Sequence, residues 1–192
     1  MNIENFNPIE GLTFDEIFRL QSELEFKYEP ETKEIFDNFD IDCYSDQEFF
    51  KKRCWRITEE LCEAIEAIDN KEESHINEEL LDGFNFLIEL ESLYGFKIED
   101  LDMGSSAAMG NGTLKEGILS VIAELGLAAN CLKNRAWRQS QYMVDLYVFE
   151  RRLKNVFNLY INLMRKRMSD KEILDNWSLK YQVNNFRLQT RY

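Results

Sequence analysis

Apolar positions along the chain recur at helical spacing, with almost no run that alternates residue by residue. Ile17, Leu20 and Leu24 form a stripe within residues 13–28, and Thr13 followed by Glu16 gives a capping-box start. A polar stretch with Pro30 follows, and residues 29–45 are expected to be a connection. Ser45 opens a long helical segment to about Ile68, and Asp69 to Ser74 make a charged turn. A strongly apolar helix is expected from about Ile76 to Tyr94, with Gly95 as its stop. Leu114 to about Leu132 reads as a further helix. So does Gln139 to Met168, with Met143, Leu146, Phe149, Leu153, Val156, Phe157, Tyr160 and Leu163 or Met164 facing inward. Ser169 with Glu172 starts a last helix through about Val183. These elements predict an all-α helical bundle, a single domain over 1–192, with residues 102–113 as a mobile linker or lid.

Composition narrows the chemistry. The chain has 192 residues, 44% of them hydrophobic, and only 2 prolines. That suffices for one buried core and favours long helices over a turn-rich β-fold. A net charge of −13 repels a phosphate backbone, so broad nucleic-acid binding is not expected. The N-terminus lacks a signal-peptide pattern and no apolar run reaches membrane-spanning length, so a cytoplasmic protein with no membrane partner is expected. Cys43, Cys54, Cys62 and Cys131 form no CxxC pair and His75 is the only histidine. Cys/His zinc chemistry and a Ser-His-Asp triad are therefore poorly supplied, and the thiols are expected to be free and buried.

Two acidic stretches carry the chemical argument: Glu59-Glu60-Leu61-Cys62-Glu63 and Glu79-Leu80-Leu81-Asp82. Residues three apart share a helix face, so Glu60 pairs with Glu63 and Glu79 with Asp82. A short turn makes their helices antiparallel neighbours, and the two pairs can meet. On spacing alone two readings stand: solvated helix faces, or a site where Mg²⁺ relieves the repulsion among crowded carboxylates. The apolar neighbours Leu80, Leu81, Phe84, Phe86 and Leu87 weigh toward the second, because buried carboxylates need a partner.

The pattern EExxE, fifteen intervening residues, then ExxD resembles the motif of the all-α NTP pyrophosphatases. Two further segments resemble the branch of dimeric dUTPases and phage dCTP/dUTP pyrophosphatases. Leu20-Gln21-Ser22-Glu23-Leu24-Glu25 is similar to its LQxxLN segment, with Glu25 in place of Asn. Lys180 through Tyr192 is similar to KNxxNxFRQxxGY, matching at Lys180, Asn184, Phe186, Arg187 and Tyr192 and departing at Tyr181, Leu188 and Arg191. Asn85 stands where the family's ExxDxxHF has His.

The resemblance implies Mg²⁺-dependent hydrolysis of a pyrimidine deoxynucleoside triphosphate, dUTP or dCTP, to the monophosphate and pyrophosphate. It implies two or more Mg²⁺ ions held by Glu60, Glu63, Glu79 and Asp82, with Glu59, Glu60 or Glu63 helping to activate water. Gln21 and Asn85 would face the nucleoside, Lys180 and Arg187 the phosphates, and Asn184 and Tyr192 the nucleotide. It implies a homodimer, for which the helix over 143–164 is the expected interface. Phe84 or Phe86 would wall the base site. Two alternatives stay open: a house-cleaning enzyme for a purine or modified nucleotide, and a non-catalytic nucleotide-binding regulator. Glu124 to Leu127 and Glu150 to Leu153 also suggest a faded internal echo of the acidic motif, or coincidence between amphipathic helices.

Overall fold

The computed structural model describes residues 6–103, 112–135 and 137–190. Among these, seven α-helices and one 3₁₀ turn account for the regular structure, and no strand occurs. The helices are α1 (Phe14–Tyr28), α2 (Thr32–Asp37), α3 (Tyr44–Asn70), α4 (Glu73–Tyr94), α5 (Leu114–Cys131), α6 (Leu146–Arg165) and α7 (Asp170–Thr190), and the turn is Ile98–Asp100. The expected all-α class is what the chain adopts.

Local chemistry explains most boundaries. The hydroxyl of Thr13 accepts from the backbone N–H of Glu16, whose carboxylate accepts from the Thr13 N–H at 2.9 Å. Thr113 with Glu116 and Ser169 with Glu172 repeat the arrangement. Such caps contribute about 1 kcal/mol each. Lys71, at φ 62°, and Gly95, at φ 91°, close α3 and α4 in the left-handed conformation.

The antiparallel pair α3–α4 is the spine of the bundle. α1 packs on α4, α5 lies against both α3 and α6, and α6 also meets α4. Between them runs an aromatic core in which Phe50 meets Phe149 edge-on at 5.3 Å, and Phe84 lies between Phe157 and Tyr160 at 6.2 and 6.1 Å. Burying each ring contributes about 1.5–3 kcal/mol.

Three boundaries differ from expectation. The connection at 29–45 contains α2, tied to α1 by the Thr32 hydroxyl on the Glu29 carbonyl at 2.6 Å and by Phe36 edge-on to Phe26. The helix expected from Gln139 begins only at Leu146. The N–H groups of Tyr142 and Val144 are taken by the side chains of Asn134 and Asp42, at 2.8 and 2.7 Å, which holds the preceding segment extended. α7 runs on to Thr190, because it is anchored on α1: the Tyr28 hydroxyl donates to the Asn184 carbonyl at 2.9 Å.

The inward stripe of α6 is confirmed from Phe149 to Met164, whereas Met143 and Leu146 are exposed. Most of the apolar face of 149–164 packs into the core of this chain, while Met143, Leu146 and Tyr147 just before it stay exposed. All four cysteines are free, but only Cys54 is buried, and Cys62 lies on an exposed face of α3. The two acids of the apparent echo have structural partners. Glu124 takes both carboxylate bonds from Arg152, at 3.0 and 2.9 Å, and Glu150 accepts from the Tyr94 hydroxyl. Of the proposed linker 102–113, residues 104–111 lie outside the described part. No helix among the described residues is long and apolar enough to cross a membrane.

Candidate active site

The turn at Lys71 folds α4 back along α3 and brings the two acidic stretches together. One carboxylate oxygen each from Glu60, Glu79 and Asp82 lies within 4.8 Å of the others. Glu60 and Glu79 are buried, at 8% and 5% exposure. Glu63, expected as a fourth member, is exposed and stands outside this trio, although its charge is felt by both Glu60 and Glu79. Spacing placed it one turn from Glu60, but at that turn the face of α3 opens to solvent.

The trio is electrostatically strained. Burial raises Glu60 to about 7, with further pushes from Asp82, Glu63 and Glu79. Burial likewise raises Glu79 and Asp82, against the favourable charges of His75 and Lys180 respectively. Each acid has a basic side chain beside it. Arg56 lies 3.5 Å from Glu60 and 2.7 Å from Glu59, and the His75 Nδ1 is 3.1 Å from Glu79. Lys180 of α7 is paired with Asp82 and lies 3.5 Å from Glu78. Three close oxygen donors that hold protons above their ordinary range fit a hard divalent cation, which would replace those protons and the Lys180 ammonium.

Close approach of the helices depends on a residue that carries no chemistry. Gly83 has no side chain, and the hydroxyl of Tyr160 fills the place where its Cβ would stand. From there the Tyr160 hydroxyl donates to the Leu80 carbonyl at 2.9 Å. The carboxylates thus sit against a fully buried phenol whose own proton they hold more firmly, after burial itself.

Beside the trio opens a cavity of about 950 Å³, with Asp82 and Glu59 in its wall. Gln21 of α1, Asn85 of α4 and Asn184 of α7 line it as well, so three segments remote in sequence converge there. Gln21 donates to Glu89 at 2.9 Å, and Asn85 accepts from the Trp177 indole N–H at 2.7 Å. The two phenylalanines separate in role: Phe84 is wholly buried in the core, whereas Phe86 faces the cavity under the Arg56 guanidinium, 5.0 Å from its ring centroid. Arg187 is exposed at the edge of this region, close enough for its charge to bear on Asp82 and Tyr28. Tyr192 lies outside the described residues.

Two features of the cavity were not picked out from sequence. One is basic: Lys51, Lys52, Arg53 and Arg56 of α3 line it with Trp55. The run Lys51-Lys52-Arg53-Cys54-Trp55-Arg56 was visible, and in so acidic a chain such a cluster was a usable signal. The other is a buried ionic knot. Arg53 pairs with Glu25 and lies 3.3 Å from Glu29 and 3.4 Å from Glu89. Burial and the charge of Glu25 raise Glu89 to about 8. Glu25, which stands where the LQxxLN segment has Asn, is occupied by Arg53.

Comparison of the chain with protein-family models, with curated proteins and with solved structures found no match. Among the described residues the chain is all-helical, with a carboxylate trio whose Asp82 also lies in the cavity wall.

Proposed function

We propose that this chain is a Mg²⁺-dependent pyrophosphatase that cleaves a pyrimidine deoxynucleoside triphosphate, dUTP or dCTP, to the monophosphate and pyrophosphate. The observation that carries the reading is the adjacency of two things: three carboxylates within 4.8 Å of one another, and a cavity of about 950 Å³ that shares Asp82 with them. The volume suits a nucleotide, and Lys51, Lys52 and Arg56 in its lining suit phosphates.

In this reading Glu60, Glu79 and Asp82 hold the metal, with Glu63 reaching it from the solvent side. Bound there, Mg²⁺ would neutralise phosphate oxygens and make water a better nucleophile. Glu59, on the cavity wall beside the trio, accepts the proton of the attacking water. Lys180 moves from Asp82 to the phosphates, and Arg56 and Arg187 add guanidinium donors suited to phosphate oxygens. Gln21, Asn85 and Asn184 hold the nucleoside, with Phe86 against the base. Water attack breaks a P–O–P bridge, and pyrophosphate leaves with the bridging oxygen or the water oxygen, according to which phosphorus is attacked.

A homodimer belongs to the same proposal, and sedimentation of the full chain reads it directly. The reaction is tested by incubating the chain with dUTP, dCTP, dTTP, dATP and dGTP, with Mg²⁺ and with EDTA. Pyrophosphate release from dUTP or dCTP that needs Mg²⁺ is expected. Preference for a purine would move the assignment to a house-cleaning enzyme, and tight binding without product would make the chain a nucleotide-binding regulator.

A further inference from the structure

Resting on the nucleotide reading of the cavity, we infer that Trp177 is a specificity-determining positioning residue, which acts through Asn85 to fix which hydrogen-bonding group the cavity offers a base. Trp177 is 1% exposed and does not line the cavity; Asn85 does. An indole N–H can only donate. Its 2.7 Å bond to the Asn85 Oδ1 therefore fixes the amide orientation. The Nδ2 donor, which makes no hydrogen bond among the described residues, is left for the cavity. Trp177 is itself held in place by stacking on Tyr181, with ring centroids 5.1 Å apart and planes 16° from parallel.

A second residue of the lining has the complementary polarity. Gln21, 6% exposed, gives one Nε2 hydrogen to Glu89 at 2.9 Å, which orients the amide, and its carbonyl oxygen accepts no hydrogen bond among the described residues. A donor from Asn85 and an acceptor from Gln21 match a base edge on which an acceptor adjoins a donor. Uracil meets this with O4 on the Asn85 donor and N3–H on the Gln21 acceptor; cytosine presents the reverse order, N3 for the Asn85 donor and the N4 amino group for the Gln21 acceptor. Were Asn85 free to turn over, the cavity would offer two acceptors, and one would face a base acceptor with no hydrogen between them.

A double-mutant cycle on the full chain with Mg²⁺ tests this, using the non-hydrolysable α,β-imido analogues of dUTP and dCTP in calorimetry, and dUTP and dCTP in turnover. Trp177→Phe is expected to weaken binding about tenfold, the scale of one well-placed hydrogen bond, with the loss in KM rather than kcat. Asn85→Ala is expected to lose a similar factor, and the double variant to be no weaker than Asn85→Ala alone. Additive losses, or wild-type affinity in Trp177→Phe, would overturn the inference, because packing would then be all that Trp177 supplies. Should Trp177→Phe not fold, Asn85→Asp replaces the inward donor with an acceptor while still accepting from the indole. At least a tenfold loss is expected, and unchanged affinity would overturn the inference. Analogue binding by the wild type without turnover of dUTP or dCTP would remove the pyrophosphatase reading and leave this one standing; no binding at all would remove both.

Discussion

The hydroxyl of Tyr160 on α6 occupies the space that a β-carbon at Gly83 of α4 would need, and donates from there to the Leu80 carbonyl at 2.9 Å. A glycine in a helix interior normally costs about 1 kcal/mol against alanine. Here the sign reverses. Gly83→Ala must push a fully buried phenol aside, at about 1–3 kcal/mol for overpacking and about 1 kcal/mol for the hydrogen bond. A net loss of about 1–3 kcal/mol in denaturant unfolding is expected, and the variant Gly83→Ala/Tyr160→Phe should recover part of it. A Gly83→Ala protein more stable than wild type would show that the two helices and Tyr160 do not meet this way.

The carboxylate trio makes a prediction about pH and metal together. Glu60 is raised to about 7 in the folded chain, mainly by burial, so the folded state holds its proton more tightly than the unfolded state. Stability should then fall as pH rises from the ordinary carboxylate range to about 7, and level off above it for this group. Glu79 and Asp82 are raised too and act in the same direction. A divalent cation competes with those protons. The thermal shift produced by Mg²⁺ should therefore be small at pH 5.5 and larger at pH 8. A Mg²⁺ shift independent of pH, or undiminished in Glu60→Gln, would place the cation elsewhere.

Asp82 and Glu63 are expected to part company in turnover. Asp82 belongs to the trio and to the cavity wall, whereas Glu63 stands outside the trio. Asp82→Ala should lower kcat by about a thousandfold or more, as for loss of a preorganised charge at a reacting centre, with helix content unchanged by circular dichroism. Glu63→Ala should lower it by a smaller factor. Equal activity in Asp82→Ala and wild type, assayed with Mg²⁺, would end the metal assignment.

Arg53 is the only cation paired with Glu25 and Glu89 among the described residues. Arg53→Met should cost about 3–5 kcal/mol at pH 8.5 or above, where the acids it leaves behind must ionise without a partner. Both acids already hold protons above the ordinary range, so the cost should shrink below pH 6. Chemical denaturation at the two pH values reads the difference directly.

Glu91 is fully buried, and neither carboxylate oxygen has a hydrogen-bond partner among the described residues. Burial raises it well above the ordinary carboxylate range. Glu91→Met keeps the length of the side chain and removes an unpaired polar group. It should stabilise the fold by about 1–3 kcal/mol in urea unfolding, and by more as pH rises. Destabilisation would mean that Glu91 serves a partner.

What the sequence by itself determined is local. Thr13 with Glu16 and Ser169 with Glu172 started helices where their spacing required, because a capping box is closed by atoms three residues apart. Gly95 ended α4 for a similar reason, and the ExxD spacing alone put Glu79 and Asp82 on one face. Tertiary structure decided the rest. Gln139 to Asp145 was lost from α6 because backbone hydrogen bonds donated to Asn134 and the distant Asp42 outweighed helical propensity. Gly83 drew no notice in sequence, since only a phenol arriving from α6 gives it a role. Glu25 and Arg53, 28 positions apart, became partners where α1 crosses the spine, and Glu63 was left in solvent while Glu60, one turn away, was buried. Spacing along a helix fixes direction about its axis, but burial and partner depend on which other helix lies there, and that is a property of the packed chain.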